Sequence, residues 1–130
     1  MSKPLALIVE DEYDISIIFA KALRSAGFEA EIVRSGDMAL TWLAAAVPAI
    51  VVLDLQLPRV PGAKILHHIR EDPRLKETRV IVATAHPRLA EDLRGEADWI
   101  LNKPVSFGQL RNLAAHLSAS MSEGQPSKRT

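Results

Sequence analysis

The sequence has no cysteine and no excess of charge of either sign. Its 130 residues include 16 basic and 16 acidic residues, so the formal net charge is zero. The lack of cysteine excludes disulfides and thiolate metal sites, and the charge balance does not favour nucleic acid as a partner. No apolar run approaches the roughly 20 residues that cross a bilayer. We therefore expect a cytoplasmic domain that binds neither nucleic acid nor membrane.

Short apolar runs, each followed at once by a polar residue, divide the chain. Residues 5–9, 49–53, 80–83 and 99–101 form four such runs, and residues 29–34 alternate between polar and apolar. Runs that are apolar on both faces are typical of strands buried in a parallel sheet, and the alternating segment suits a sheet edge. The pattern therefore predicts five strands.

Segments with helical periodicity lie between the predicted strands. The first predicted helix ends at Gly27, the second has Ser35 as its N-cap, and the last begins at a capping box of Ser106 and Gln109. Residues 86–95 have a weaker pattern and predict only a short or irregular fourth helix. The apolar stripe of the first helix comprises Ile15, Ile18, Phe19, Ala22, Leu23 and Ala26.

The alternation of strands and helices predicts one α/β domain, a three-layer sandwich that covers residues 1–119. Residues 120–130 are polar, and we expect a disordered tail there. Ligands of such folds bind at the carboxyl ends of the strands. The residues that directly follow the apolar runs are therefore the candidates for chemistry.

Those strand ends supply three carboxylates, one hydroxyl and one ammonium group. Glu10 and Asp11 follow the first run, Asp54 the second, Thr84 the third, and Lys103 comes two residues after the fourth. Crowded carboxylates repel one another, and a hard divalent cation such as Mg²⁺ relieves that repulsion. Lysine and threonine can bind phosphate oxygens. Together these groups indicate phosphoryl transfer, in which positioning and charge compensation supply most of the catalysis.

These motifs, in this order, resemble the receiver domain of bacterial two-component response regulators, in particular the stand-alone chemotaxis-regulator type. The resemblance implies a flavodoxin-like fold with a parallel sheet of order 2-1-3-4-5. It covers essentially residues 5–117. The matching stretches are residues 7–12, 51–58 with Pro61 and Gly62 following, 82–85, 97–98 and 103–104.

The resemblance also implies a role for each site residue. Asp54 would be the phosphoacceptor, and Lys103 would pair with the phosphoryl group. Mg²⁺ would be held by Asp54, by Asp11 directly, by Glu10 through water and by the backbone carbonyl of Gln56. Thr84 would move toward the phosphoryl group as a switch. The donor would be the phosphohistidine of a sensor histidine kinase or of a histidine phosphotransfer protein.

Other positions are assigned by the same resemblance to regulation and docking. Gln56 and His86 occupy the positions that tune hydrolysis of the aspartyl phosphate. Ile100 stands where receivers often carry the aromatic side chain that moves with the switch threonine, so the readout is expected to differ. Kinases often dock on the first helix and on the loop after the lysine, which here provide Ile15, Ile17, Pro104 and Val105.

The chain is thus predicted to be a single-domain response regulator that signals through its own surface, with a homodimer as an open alternative. We classify it as no enzyme, although it would assist its own phosphotransfer and slow autodephosphorylation. A pseudo-receiver that binds partners without phosphorylation is the alternative. A phosphatase of the haloacid dehalogenase type is disfavoured, because such enzymes usually carry a second Asp where this chain has Gln56.

Overall fold

The computed structural model describes residues 3–122, and a five-stranded parallel sheet forms its centre. The strand order is β2-β1-β3-β4-β5, which confirms the predicted flavodoxin-like topology. β2 and β5 lie at the edges, as the alternating pattern of residues 29–34 indicated for β2. The strands are β1 Leu5–Val9, β2 Glu29–Val33, β3 Ile50–Asp54, β4 Arg79–Thr84 and β5 Trp99–Asn102.

Five α-helices connect or follow the strands. The fourth helix has only four residues and passes into a 3₁₀ turn, which confirms the prediction of a short or irregular helix there. The helices are α1 Tyr13–Ser25, α2 Gly36–Ala45, α3 Gly62–Glu71, α4 Pro87–Ala90 and α5 Phe107–Ser122, and the 3₁₀ turns are Pro73–Leu75 and Glu91–Leu93.

The core has two halves, one on each face of the sheet. Leu43 of α2 and Leu66 of α3 belong to the buried cluster on one face. Phe19 of α1 and Leu110 of α5 belong to the cluster on the other face. β3 and β4 are buried throughout, and β1 is buried except at Leu5, because helices cover both faces of these strands. The predicted three-layer sandwich is therefore confirmed.

The residues predicted at helix ends, Ser35, Ser106 and Gly27, have the expected contacts or conformation. The hydroxyl of Ser35 accepts a hydrogen bond from the amide of Met38 at 3.2 Å, which caps α2. The hydroxyl of Ser106 accepts one from the amide of Gln109 at 3.0 Å, which caps α5. Gly27 has a φ of +100°, a conformation that suits glycine at the end of α1.

The predicted apolar stripe of α1 was wrong at one position. Ile18 is 43% exposed, whereas Ser16 is fully buried. Serine can be buried there because its hydroxyl donates to the carbonyl of Tyr13 at 2.6 Å, so no polar group is left unsatisfied. The stripe that faces the sheet comprises Ser16, Phe19, Ala20, Ala22 and Leu23.

The end of the chain is described only in part. Helix α5 continues through Ser122, so residues 120–122 of the predicted tail are helical. Residues 123–130 lie outside the described part, and the boundary after residue 119 stays a prediction. None of the helices within residues 3–122 combines the length and apolar character that a membrane crossing requires.

Candidate functional site

The strand ends bring the predicted site residues to one edge of the sheet. Glu10 follows β1, and its amide donates to the carbonyl of Val33 on the neighbouring strand at 3.1 Å. Asp54 is the last residue of β3. The amide of Lys103, just after β5, donates to the carbonyl of Thr84 at the end of β4 at 2.8 Å. Glu10, Asp54 and Thr84 are buried, so their polar groups must be satisfied within the site.

Lys103 joins the two buried carboxylates. Its Nζ lies 2.8 Å from Oε1 of Glu10 and 3.4 Å from Oδ2 of Asp54. The second oxygen of each carboxylate accepts from a backbone amide, Oε2 of Glu10 from Glu12 at 3.2 Å and Oδ1 of Asp54 from Gln56 at 3.0 Å. The backbone of both loops therefore fixes the orientation of the carboxylates.

Burial and their mutual contacts set the pKa values of Glu10 and Lys103. Burial is the largest influence on Glu10 and raises its pKa, the hydrogen bond from Lys103 lowers it, and the nearby Asp54 raises it again, to about 7. Burial lowers the pKa of Lys103, but the carboxylates of Glu10 and Asp54 outweigh that effect, and its pKa is raised. One ammonium group does not balance the carboxylates gathered here.

A divalent cation fits the donor set. Carboxylate oxygens of Glu10, Asp11 and Asp54 all lie within 4.8 Å of one another. Two of these side chains are buried and Asp11 is exposed, which leaves the group accessible from solvent. Hard oxygen donors of this kind suit Mg²⁺. The role of the Gln56 carbonyl as a further ligand stays a prediction.

Thr84 is tied to the start of α4. Its Oγ1 accepts from the amide of His86 at 2.9 Å and donates to the carbonyl of His86 at 3.3 Å. That carbonyl also accepts from the amide of Leu89 in α4 at 3.0 Å. Ile100 is half-buried and packs against the cluster on the α2 and α3 face. The hydroxyl of Thr84 is therefore engaged with the backbone that leads into α4.

Gly62 allows the loop after Asp54 to return close to its own start. Its amide donates to the carbonyl of Leu55 at 3.0 Å. A Cβ on Gly62 would lie 2.3 Å from the carbonyl oxygen of Asp54, which is far inside van der Waals contact. Within the same loop, Arg59 has a φ of 66°, a conformation that is unfavourable for residues other than glycine.

The four predicted docking residues are not equally accessible. Ile15 and Val105 are half-buried and pack against the cluster on the α1 and α5 face. Ile17 is half-buried, and Pro104 is exposed after a cis peptide bond with Lys103. The sequence reasoning missed two exposed aromatic side chains on this side of the domain, Tyr13 and Phe107. Both are first residues of their helices, a position that the apolar stripe does not include.

Comparison with known proteins identifies the class of domain. Residues 6–115 match the family model described as the response regulator receiver domain. The chain therefore belongs to the response regulator receiver domain family, and the predicted resemblance is confirmed.

Individual relatives agree with the family match. The chain is 32% identical over 110 residues to the phosphate regulon transcriptional regulatory protein PhoB of Rhizobium meliloti (strain 1021). The match covers 82% of this chain but only 48% of that protein, so the chain spans about half the length of this curated relative.

Two solved structures show the same fold. A CheY-like response regulator receiver domain from Methylobacillus flagellatus matches with a TM-score of 0.80 and 27% identity, over 89% of this chain and 99% of the other. The Mn²⁺-bound form of the response regulator Rcp1 matches with a TM-score of 0.72 and 24% identity, over 95% and 98% of the two chains. The first of these supports the family, and the second supports the fold.

The family corrects one expectation. The prediction that the chain is not an enzyme was wrong. The match shows a receiver domain, and receivers are phosphoacceptors with slow autodephosphorylation. Removal of the phosphoryl group by water is itself a hydrolytic reaction. Membership of this family therefore does not support excluding enzymatic activity.

Proposed function

We propose that this receiver domain accepts a phosphoryl group on Asp54 from a phosphohistidine donor, in a reaction that depends on Mg²⁺. The observation that carries the proposal is the contact of the Asp54 carboxylate with Lys103, beside the oxygens of Glu10 and Asp11. A pocket with excess negative charge needs a cation before it can admit an anionic phosphoryl group. When bound, Mg²⁺ supplies that charge and neutralises phosphoryl oxygens.

The proposed step exchanges one bond to phosphorus for another. A carboxylate oxygen of Asp54 attacks phosphorus, the new P–O bond forms, and the P–N bond to the donor histidine breaks. The electron pair of that bond stays on the imidazole nitrogen. Lys103 pairs with a phosphoryl oxygen as charge moves, and the amide of Gln56 holds the second oxygen of Asp54 in place.

Readout is proposed to pass through Thr84. To donate to a phosphoryl oxygen, its hydroxyl must give up the hydrogen bond to the carbonyl of His86. That change reaches the first turn of α4 through the bond between His86 and Leu89. Gln56 and His86 are proposed to tune how fast water removes the phosphoryl group. Ile100 offers no aromatic ring to move with Thr84, so the response is centred on the α4 segment.

The proposed partners follow from this chemistry. The donor is a sensor histidine kinase or a histidine phosphotransfer protein, docked on Ile15, Ile17, Pro104 and Val105. We propose that the domain works in the cytoplasm and signals through its own surface, with a homodimer as one form of that output. A pseudo-receiver is not favoured, because the carboxylates and the lysine needed for phosphorylation lie together at one edge.

The test is the intact mass of the protein after incubation with acetyl phosphate and Mg²⁺. We expect a gain of one phosphoryl group, which Asp54→Asn and EDTA each abolish. Asp92→Asn is the matched control, since Asp92 is an exposed carboxylate on a 3₁₀ turn and its loss should leave the gain unchanged. A folded wild-type protein that gains no mass and binds no Mg²⁺ would support the pseudo-receiver instead.

A further inference from the structure

A cation and an aromatic ring lie together at the edge of the sheet that carries the acidic pocket. Arg34 is the first residue after β2, and Tyr13 is the first residue of α1. The guanidinium carbon of Arg34 lies 4.7 Å from the centroid of the Tyr13 ring, which is a cation–π contact. The ring is 66% exposed, so the contact holds the cation at the surface and not in the core.

Ser16 fixes the guanidinium group in this place. Its buried hydroxyl accepts a hydrogen bond from Nη1 of Arg34 and donates one to the carbonyl of Tyr13. The planar group is therefore held over the first turn of α1. Within residues 3–122 Arg34 forms no ion pair, so no carboxylate of that part of the chain contacts its guanidinium group directly.

Arg34 follows β2 and Glu10 of the pocket follows β1, and these two strands are neighbours in the sheet. Val9 of β1 is in register with Val33 of β2, and the amide of Glu10 donates to the carbonyl of Val33 at 3.1 Å, so Glu10 and Arg34 leave their strands side by side. A charge acts over about 30 Å at an ionic strength of about 0.01 M, and over about 3 Å at about 1 M. The charge of Arg34 therefore reaches the pocket in dilute salt and not in concentrated salt.

The pocket itself does not attract a phosphodonor, because its carboxylates oppose the anion and bound Mg²⁺ only offsets their charge. Glu10, Asp11 and Asp54 carry more negative charge than Lys103 balances, and acetyl phosphate and phosphohistidine are anions. A fixed positive charge at the rim of such a site raises the local concentration of an anionic substrate. No step in the proposed transfer uses Arg34, yet its charge is held in place by two specific contacts.

We propose that Arg34, held by Tyr13 and Ser16, attracts anionic phosphodonors electrostatically to the acidic pocket. The inference rests on the proposed phosphoacceptor function. Arg34 acts before the chemical step, so its loss raises the donor concentration needed for half of the maximal rate and leaves the maximal rate unchanged. Lysine at the same position keeps the charge and most of the effect.

The test measures the rate of phosphorylation by acetyl phosphate with Mg²⁺, from the intact mass, at several donor concentrations. For Arg34→Ala in dilute salt we expect the half-maximal concentration to rise by about two- to fivefold, since one charge supplies only part of the about 10- to 1000-fold effect that a whole charged cleft can reach. In about 0.5 M salt the variant and the wild type should coincide. Arg34→Lys should stay close to the wild type at both ionic strengths.

Lys21→Ala is the matched control, because it removes the same charge from an exposed position about two turns further along α1. Its half-maximal concentration should not change. Equal values for Arg34→Ala and wild type in dilute salt would overturn the inference, and so would a lower maximal rate that persists in concentrated salt, which indicates a structural role. A wild-type protein that gains no phosphoryl group would overturn both the proposed function and this inference.

Discussion

The ammonium group of Lys103 lies 2.8 Å from Oε1 of Glu10, a buried carboxylate 93 residues earlier in the chain. The same ammonium group lies 3.4 Å from Asp54, so one cation serves two buried carboxylates. Burial raises the pKa of Glu10 more than Lys103 lowers it, and the pKa reaches about 7. Glu10 is therefore the group through which the stability of the metal-free domain should depend on pH.

The first prediction is that the metal-free domain loses stability as pH rises and that Glu10→Gln largely removes this loss. The pKa of Glu10 is about 7 in the folded protein against 4.5 for the ordinary group, so the folded state holds the proton more firmly. Its stabilising contribution is complete below about pH 4.5 and is lost as pH rises through about 7. Between about pH 5 and pH 8, we expect the wild type to lose about 1–3 kcal/mol more than Glu10→Gln.

Urea unfolding in the presence of EDTA, repeated across this pH range, measures the difference. We compare how the free energy of unfolding changes with pH in the two proteins. Its value at a single pH is not informative, because Glu10→Gln also weakens the hydrogen bond to Lys103 at every pH. Glu12→Gln is the control, since Glu12 is exposed and only its amide contacts the site. Parallel curves for wild type and Glu10→Gln would contradict the prediction.

The second prediction concerns the close approach at Gly62. Its missing Cβ would lie 2.3 Å from the carbonyl oxygen of Asp54 and 2.6 Å from Cα of Leu55, both backbone atoms that cannot move aside independently. We expect Gly62→Ala to lower the free energy of unfolding by about 2–3 kcal/mol. The urea midpoint at neutral pH measures it.

Gly108→Ala is the matched control for that substitution. Gly108 also lies in a helix, but a Cβ there would meet nothing within 4 Å. Gly108 is the second residue of α5, so alanine should raise the free energy of unfolding by at most about 0.5–1 kcal/mol, the gain at helix interior positions. Equal effects at the two glycines would show that the contact at Gly62 can be relieved.

The sheet and the pocket could be predicted because their signals are local. Runs that are apolar on both faces suit buried strands, and a polar residue directly after such a run lies at the carboxyl edge of the sheet. The sequence pattern alone is enough to locate Asp54 and Thr84 at that edge. Ser35 was recognised as a cap for the same reason, since its partner lies only three residues away.

Contacts between distant side chains have no such signature. Nothing in the spacing of Arg34 and Ser16 predicts that a guanidinium group crosses from β2 to α1. The rotation of α1 was misjudged for a related reason. Ile18 is the more apolar residue, but Ser16 can be buried because it bonds to its own helix backbone.

The third prediction concerns a buried ion pair outside the acidic pocket, between Arg70 and Asp98. Nη2 of Arg70 lies 3.0 Å from Oδ2 of Asp98, which also accepts from the amide of Val80 at 2.7 Å. Nε and Nη1 of Arg70 donate to the carbonyls of Glu96 and Thr78. Arg70 thereby ties α3 to the chain that enters β4 and β5. We expect Arg70→Met to cost about 3–5 kcal/mol, because it removes a charged partner from a buried carboxylate.

Asp37→Asn is the comparison for a surface pair, and both proteins are unfolded in urea under the same conditions. Asp37 lies 3.6 Å from Arg59, and the two side chains are 52% and 74% exposed. Exposed pairs contribute only about 0–1 kcal/mol, so this variant should stay close to the wild type. A cost below about 1 kcal/mol for Arg70→Met would contradict the prediction and show that the Asp98 carboxylate is stabilised without Arg70.

The fourth prediction is that Arg59→Gly stabilises the domain. Arg59 lies in the loop between Asp54 and Gly62 and has a φ of 66°. Residues other than glycine adopt this backbone conformation at a cost in free energy. Glycine removes that cost but is less restricted in the unfolded chain, so we expect a net gain of about 0.5–1 kcal/mol. Arg59→Ala gives up the same exposed ion pair with Asp37 and keeps the strain, so its urea midpoint should differ little from the wild type. If glycine and alanine have the same midpoint, the backbone at this position carries no strain that glycine can relieve.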